Sequence, residues 1–307
     1  MTFLRNLLTL GRISNLPTVW TNCLAAWTVN AFASSIVRQM PNPIKDLSLL
    51  AWEQLGWLLI GASLIYVAGC TLNDAFDQGF DEKHNPQRPI PSGEMKPVSV
   101  WLVGFAELIA GSFVLLDFAE VSEVWLIALT LAILTYEAVH KKWFGAVWLM
   151  GSCRFFLWLA AASAANESLA PLTIAWAGIV AIYVVGISLF ARGEATGESR
   201  ENRLPVPLLF GTPLFALALL VYWNNLPTTA QFATHVAGLI SVWLAYTAVK
   251  RMRTGEAGCI GQGVSRLLAG ISACDATAIG LVSPSLAYGC LACIPIAFLM
   301  QKKFAAT

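Results

Sequence analysis

The chain has 307 residues, 57% hydrophobic and 12% charged, with a mean hydropathy of +0.66 and a net charge of +1. That balance excludes an ordinary soluble domain and offers no basic excess with which to hold nucleic acid. A single polytopic membrane domain over residues 1–307, with the lipid bilayer as its solvent, is expected instead.

The N-terminal stretch MTFLRNLLTLGRISNLPTVW does not read as a secretory signal: its apolar run is short, Arg12 interrupts it, and no small-residue cleavage site follows. Apolar runs then recur at about 14–37, 52–74, 98–117, 121–139, 144–165, 169–192, 205–223, 230–250, 263–281 and 284–301. The expected fold is all-α: a bundle of nine or ten transmembrane helices with acidic loops on the cytoplasmic side. Arg266 and Asp275 interrupt the ninth run. With the N-terminus inside, 15 of the 19 Lys and Arg residues fall in cytoplasmic segments, which sets the orientation. Trp20, Trp101, Trp143 and Trp243 near span ends suit interfacial belts. The seven cysteines are scattered through apolar runs as small buried residues; Cys290 and Cys293 have CxxC spacing but no second pair for zinc.

The second run ends in LNDAFDQGFDEKHNPQRPIPSG, residues 72–93. Asp74, Asp77 and Asp81 are spaced three and four apart, so they share one face if the helix continues. They also lie at a helix C-terminus, where the dipole opposes negative charge. The arrangement needs cations, and hard carboxylate oxygens of this kind suit Mg²⁺ together with a phosphate. Arg88, in the Pro-fixed QRPIPSG segment, is placed to hold phosphate through its guanidinium.

A repeat supports a working site. YVAGCTLNDAFDQGFD begins at Tyr66 and YVVGISLFARGEATGE at Tyr183, aligning without a gap. Asp77 then matches Glu194, and Asp81 matches Glu198. The second copy lacks the Asn73–Asp74 pair, having Phe190 and Ala191 there. Four spans separate the copies, so both end on the same side of the membrane. The expected halves are about 14–139 and 144–250, followed by the C-terminal spans of 263–301. Between them lies the turn TYEAVHKKWFG, where Lys141 and Lys142 can reach a phosphate and Tyr136 can line a cavity. Glu137 and His140 are proton acceptors by type, His140 reading as a solvated interfacial residue. Arg154 and Asp275 fall at membrane depth, where charges face the bundle interior, and pairing between them is one expectation.

These motifs resemble the UbiA superfamily of intramembrane prenyltransferases. The first stretch matches its N-D-x-x-D-x-x-x-D signature at Asn73, Asp74, Asp77 and Asp81, continuing through Arg88-Pro-Ile-Pro-Ser-Gly93. Arg12-Ile-Ser-Asn-Leu-Pro-Thr resembles the family's opening, and Tyr136 with Lys141 and Lys142 resembles its third cytoplasmic connection. The resemblance implies a prenyl diphosphate held through Mg²⁺ by two acidic motifs, and prenyl transfer to a small lipophilic acceptor, aromatic or cyclitol-like. Catalytic and metal-binding roles would then fall to Asp74, Asp77, Asp81, Glu194 and Glu198. Substrate binding would fall to Asn73, Arg88, Tyr136, Lys141, Lys142 and Arg154. The second signature departs from the family's Asp-x-x-x-Asp, having Glu at both positions. FARGEA, with Arg154 in GSCR, is most similar to the EboC-like branch, which is linked to export of small metabolites; export or binding without prenyl transfer is the alternative.

Overall fold

The computed structural model describes residues 2–37, 51–196, 205–223 and 225–303, and among these the regular structure is helical throughout. The chain opens with α1 (Thr2–Leu10), a 3₁₀ turn at Ile13–Asn15 and α2 (Leu16–Val37). Then come α3 (Trp52–Phe76), α4 (Gln78–His84), α5 (Pro97–Asp117), α6 (Glu123–Val139), α7 (Ala146–Ala165) and α8 (Pro171–Thr196). The last part comprises α9 (Pro205–Leu208), α10 (Gly211–Tyr222), α11 (Thr228–Met252), α12 (Cys259–Gly280) and α13 (Pro284–Gln301).

Every expected apolar run is helical. Six of the helices are long and apolar enough to cross a membrane: α3, α5, α7, α8 up to Arg192, α11 and α13. Others depart from that standard for visible reasons. The run 205–223 is divided into α9 and the 12-residue α10, which rises only about 18 Å. Helix α6 has 17 residues, and α12 carries Arg266 and Asp275.

Helix α2 lies at the centre and packs against α3, α7, α8, α12 and α13. Antiparallel α3 and α5 approach closely through glycine: a Cβ on Gly61 would stand 2.7 Å from the Leu115 side chain, and one on Gly111 3.0 Å from Ile65. Such contact through small residues is how helices associate where lipid removes the usual hydrophobic drive. Burial is inverted relative to a soluble protein. Leu102, Ile109, Val221, Leu239 and Trp243 are turned outward at 61–74% exposure, while Thr18, Thr21, Asn22, Thr28 and Asn30 of α2 are buried. Lipid solvates the former; neighbouring helices supply hydrogen bonds to most of the latter.

One end of the bundle is closed by a separate small core. Leu10 of α1 packs with Ala75, Ile90, Met95 and Val100, so α1 and the 88–95 segment fold together over the end of α3. Two backbone features allow this. Arg12 takes a left-handed conformation at φ 42°, reversing the chain between α1 and α2, and Gly93 has φ 77° within the Pro-Ser-Gly turn.

Candidate functional site

Helix α3 does not run on through the acidic stretch. It ends at Phe76, Asp77 takes the C-cap position with ψ near 1°, and α4 restarts at Gln78. The three aspartates therefore do not share one undivided helical face, as the spacing predicts. All three are buried; Asp74 and Asp81 share a partner, while Asp77 at the break has others. Arg88 lies between two of them: one of its terminal nitrogens is 3.0 Å from Asp74 Oδ1 and 2.9 Å from Asp81 Oδ2. Asn85 donates to Asp81 Oδ1 at 2.7 Å. Arg12 donates to Asn73 Oδ1 at 2.8 Å and stands 3.5 Å from Asp74. Cations do fill the gaps between these carboxylates, and they come from α1–α2, from the QRPIPSG segment and from the α6–α7 turn.

That turn serves Asp77. Lys141 Nζ is 3.1 Å from Asp77 Oδ2, and His140 Nε2 is 3.2 Å from Asp77 Oδ1. Burial pushes the Asp77 carboxyl up, but the hydrogen bonds and charges of His140 and Lys141 outweigh it and hold the group below its ordinary value. His140 is not a solvated interfacial residue: it is buried, stacked on Tyr136 at 4.8 Å, and its Nδ1 is 3.2 Å from the Tyr136 and Glu137 carbonyl oxygens. Both ring nitrogens thus face oxygen atoms, Nδ1 those of its own turn and Nε2 those of Asp77. Glu137, one helical turn earlier, accepts from Asn73 Nδ2 at 2.5 Å. Lys141 also lies 4.1 Å over the Phe80 ring, and Lys142 points outward, exposed.

The second copy approaches the same turn. Arg192 of α8 donates to the carbonyl oxygens of His140 and Phe144, the latter at 3.2 Å, satisfying groups that the end of α6 leaves open. Two links thus join the α8 terminus to Asp77: Arg192 to His140, and His140 to Asp77. Glu194 lies on the last turn of α8 but its side chain is outside the described residues, as is Glu198 altogether.

Arg154 is not at this rim. It projects from α7 to α2, donating to Thr18 O at 3.2 Å and to Thr18 Oγ1 at 3.4 Å. Nor does it pair with Asp275, which accepts instead from Thr21 at 2.7 Å and Asn22 at 3.1 Å. Polar groups on α2 stand where each charge would need the other.

The sequence reading passes over the roles of Arg12, Asn85 and Arg192 and undervalues His140 and Glu137. A signal existed for the last two: Glu137 and His140 are three apart, on one face of α6. Nothing local marks Arg12, which lies 61 residues from Asn73 in sequence.

The donor set suits a magnesium ion in kind, since Asp74, Asp77 and Asp81 bring buried hard oxygens to one rim. Among the described residues no three His, Cys, Asp or Glu side chains converge as a metal centre, because Arg88 lies between Asp74 and Asp81 while Lys141 and His140 hold Asp77.

Similarity to known proteins agrees with this layout. A 4-hydroxybenzoate octaprenyltransferase of Ectopseudomonas mendocina (strain ymp) is 39% identical over 70 residues, 22% of this chain and 23% of that protein. Another, of Pseudomonas syringae pv. syringae (strain B728a), is 40% identical over 70 residues, again 22% and 23% of the two chains. The matched stretch thus spans under a quarter of the length of these curated relatives. A solved structure of digeranylgeranylglyceryl phosphate synthase is similar over 92% of this chain and 98% of its own, with a TM-score of 0.58 and 14% identity, a likeness of fold. Residues 44–248, about two thirds of the 307, match the description "UbiA prenyltransferase family", and on that extent this chain belongs to the family.

Proposed function

We propose that this protein transfers a prenyl group from a prenyl diphosphate to a small lipophilic acceptor, aromatic or cyclitol-like, at the inner end of its helical bundle. One observation carries the reading: Arg12, Arg88 and Lys141 are interleaved with Asp74, Asp77 and Asp81 at one rim of an apolar bundle. A diphosphate needs cations and metal ligands at one end and a water-poor space for its hydrocarbon at the other. The partial match to 4-hydroxybenzoate octaprenyltransferases supports this substrate class. Nine or ten spans, an inside N-terminus and two related halves complete the reading, on the charge distribution and the repeat.

In this mechanism Asp74, Asp77 and Asp81, with Glu194 and Glu198, would hold Mg²⁺, which supplies charge neutralisation to the diphosphate. Arg88, Lys141 and Arg12 exchange carboxylate partners for phosphate oxygens. Their guanidinium and ammonium groups oppose the charge that grows on the leaving diphosphate as the allylic C–O bond breaks. Asn73 is fixed by Glu137 and Arg12, so the residue beside Asp74 cannot swing away. Tyr136, stacked on His140, borders the space below the rim. The buried apolar residues of the bundle keep water from the carbocation, and an acceptor carbon or oxygen attacks it and gives up its proton to the released diphosphate.

The test is turnover of a prenyl-diphosphate panel with Mg²⁺ in detergent, comparing wild type with Asp77→Ala. Loss of at least tenfold in the variant is expected; equal turnover sinks the mechanism. A second reading, export or binding of a small metabolite, is favoured by one feature: the buried polar side chains Thr18, Thr21, Asn22, Thr28 and Asn30 along α2. Uptake by sealed vesicles without any prenylated product would support it over the first.

A further inference from the structure

The middle of the bundle holds a carboxyl group that the rim does not use. Asp275 of α12 is fully buried. Its Oδ2 is 2.7 Å from Thr21 Oγ1, its Oδ1 3.1 Å from Asn22 Nδ2, and Thr21 Oγ1 is 3.3 Å from Ser272 Oγ. Among the described residues it has no ion-pair partner. An ionised carboxylate has room for about four hydrogen bonds. Here it receives two, one from a hydroxyl that also has Thr18 O and Ser272 Oγ as acceptors within 3.3 Å. Burying that charge so poorly paired is costly.

A protonated Asp275 removes the difficulty. Asn22 Oδ1 is buried and has no hydrogen-bond partner. Turning the Asn22 amide over presents that oxygen to an Asp275 O–H, so a single side chain can serve either protonation state. The surroundings were chosen by no other cation: α7 offers Arg154, already bound to Thr18 and acting on Asp275 only through space. The other ionisable neighbours are thiols, Cys23 on α2, Cys274 on α12, and Cys290 and Cys293 on α13. Tyr183 of α8 is engaged with Leu267 O, while α10 and α11 present the neutral hydroxyls of Thr212 and Ser241.

Polar groups also flank α2 between this node and the rim, each threonine hydroxyl closing on the main-chain carbonyl three residues earlier. Thr21 reaches Thr18 O, Thr18 Oγ1 donates to Asn15 O at 2.8 Å, and Asn15 donates to Tyr66 OH at 3.2 Å. Arg12, next on that side, is bound to Asn73.

We propose that Thr21, Asn22, Ser272 and Asp275 form a proton-binding site inside the bundle. The ligand is a proton rather than a metal cation, since the oxygens already stand at hydrogen-bonding distance from one another. This stands apart from prenyl transfer and does not require it.

Infrared difference spectra of the full chain in lipid nanodiscs test it without an activity assay. At neutral pH wild type should show a protonated-carboxyl C=O band that Asp275→Asn lacks, and Asn22→Ala should shift that band without removing it. After transfer to D₂O the band should move to lower frequency, as a carboxyl C=O beside an exchanged O–D does. An Asp275 that is ionised at neutral pH overturns the proposal, as does a band that responds to sodium.

Discussion

At the residue scale the rim is a set of shared ions. Arg88 satisfies Asp74 and Asp81 at once, so its loss leaves buried Asp81 without a cation and Asp74 with the more distant Arg12 alone. Arg88→Ala is expected to destabilise the fold by about 3 kcal/mol, read as thermal unfolding in detergent, and to lower kcat/KM at least tenfold. Arg88→Lys should recover less than half of the stability, because a shorter and more strongly hydrated ammonium replaces the guanidinium whose one terminal nitrogen reaches both acids. Asp77 makes a second prediction. Its folded-state pKa is depressed, so its stabilising contribution is complete above the unfolded value of about 4 and disappears as pH falls through the folded value. The stability gap between wild type and Asp77→Asn should therefore be constant above pH about 5 and close in more acid solution. A gap that widened on acidification would contradict the pairing with His140 and Lys141. The aspartates themselves were legible from their spacing alone. Their partners were not, since Arg12 and Lys141 reach them across intervals of chain that no local pattern records.

At the element scale, two devices place those side chains. One is the close approach of α3 and α5 at Gly61 and Gly111. Gly61→Leu should cost about 1–3 kcal/mol through overpacking against Leu115, and a compensating Leu115→Ala should recover part of it in a double-mutant cycle. The other is Arg192, which ties the end of α8 to the α6–α7 turn. Arg192→Ala should lower kcat/KM several-fold with little change in unfolding temperature, since the turn carrying His140 and Lys141 loses its external tether. The apolar runs announced these helices, because long hydrophobic segments have few other fates. The interruption at Asp77 was hidden: nothing in LNDAFDQGFD marks where one helix becomes two, and the break coincides with the contacts of His140 and Lys141 to Asp77. Likewise 205–223 reads as one run although the chain divides it around Leu209 and Phe210.

At the scale of the molecule this is an integral membrane protein whose polar groups are gathered within and whose outer faces are bare. Side chains such as Ile109 and Leu239, each 69% exposed, have lipid as their solvent. The proposed orientation puts Lys83 on the inner face and Glu120 on the outer. In a cysteine-free background, Lys83→Cys should react with an impermeant maleimide only in inside-out vesicles, and Glu120→Cys only in right-side-out ones. The general architecture followed from composition. What composition could not supply was the polar interior of α2, because Thr and Asn scattered in an apolar run look incidental until the neighbouring helices are in place.

The miniature core beneath α1 has a consequence for motion. Leu10, Ala75, Ile90, Met95 and Val100 lock the first helix to the segment bearing Arg88. The two cannot loosen independently, so their amides should trade hydrogen for deuterium in step, and shortening the chain by its first ten residues should unfasten the Arg88 segment as well.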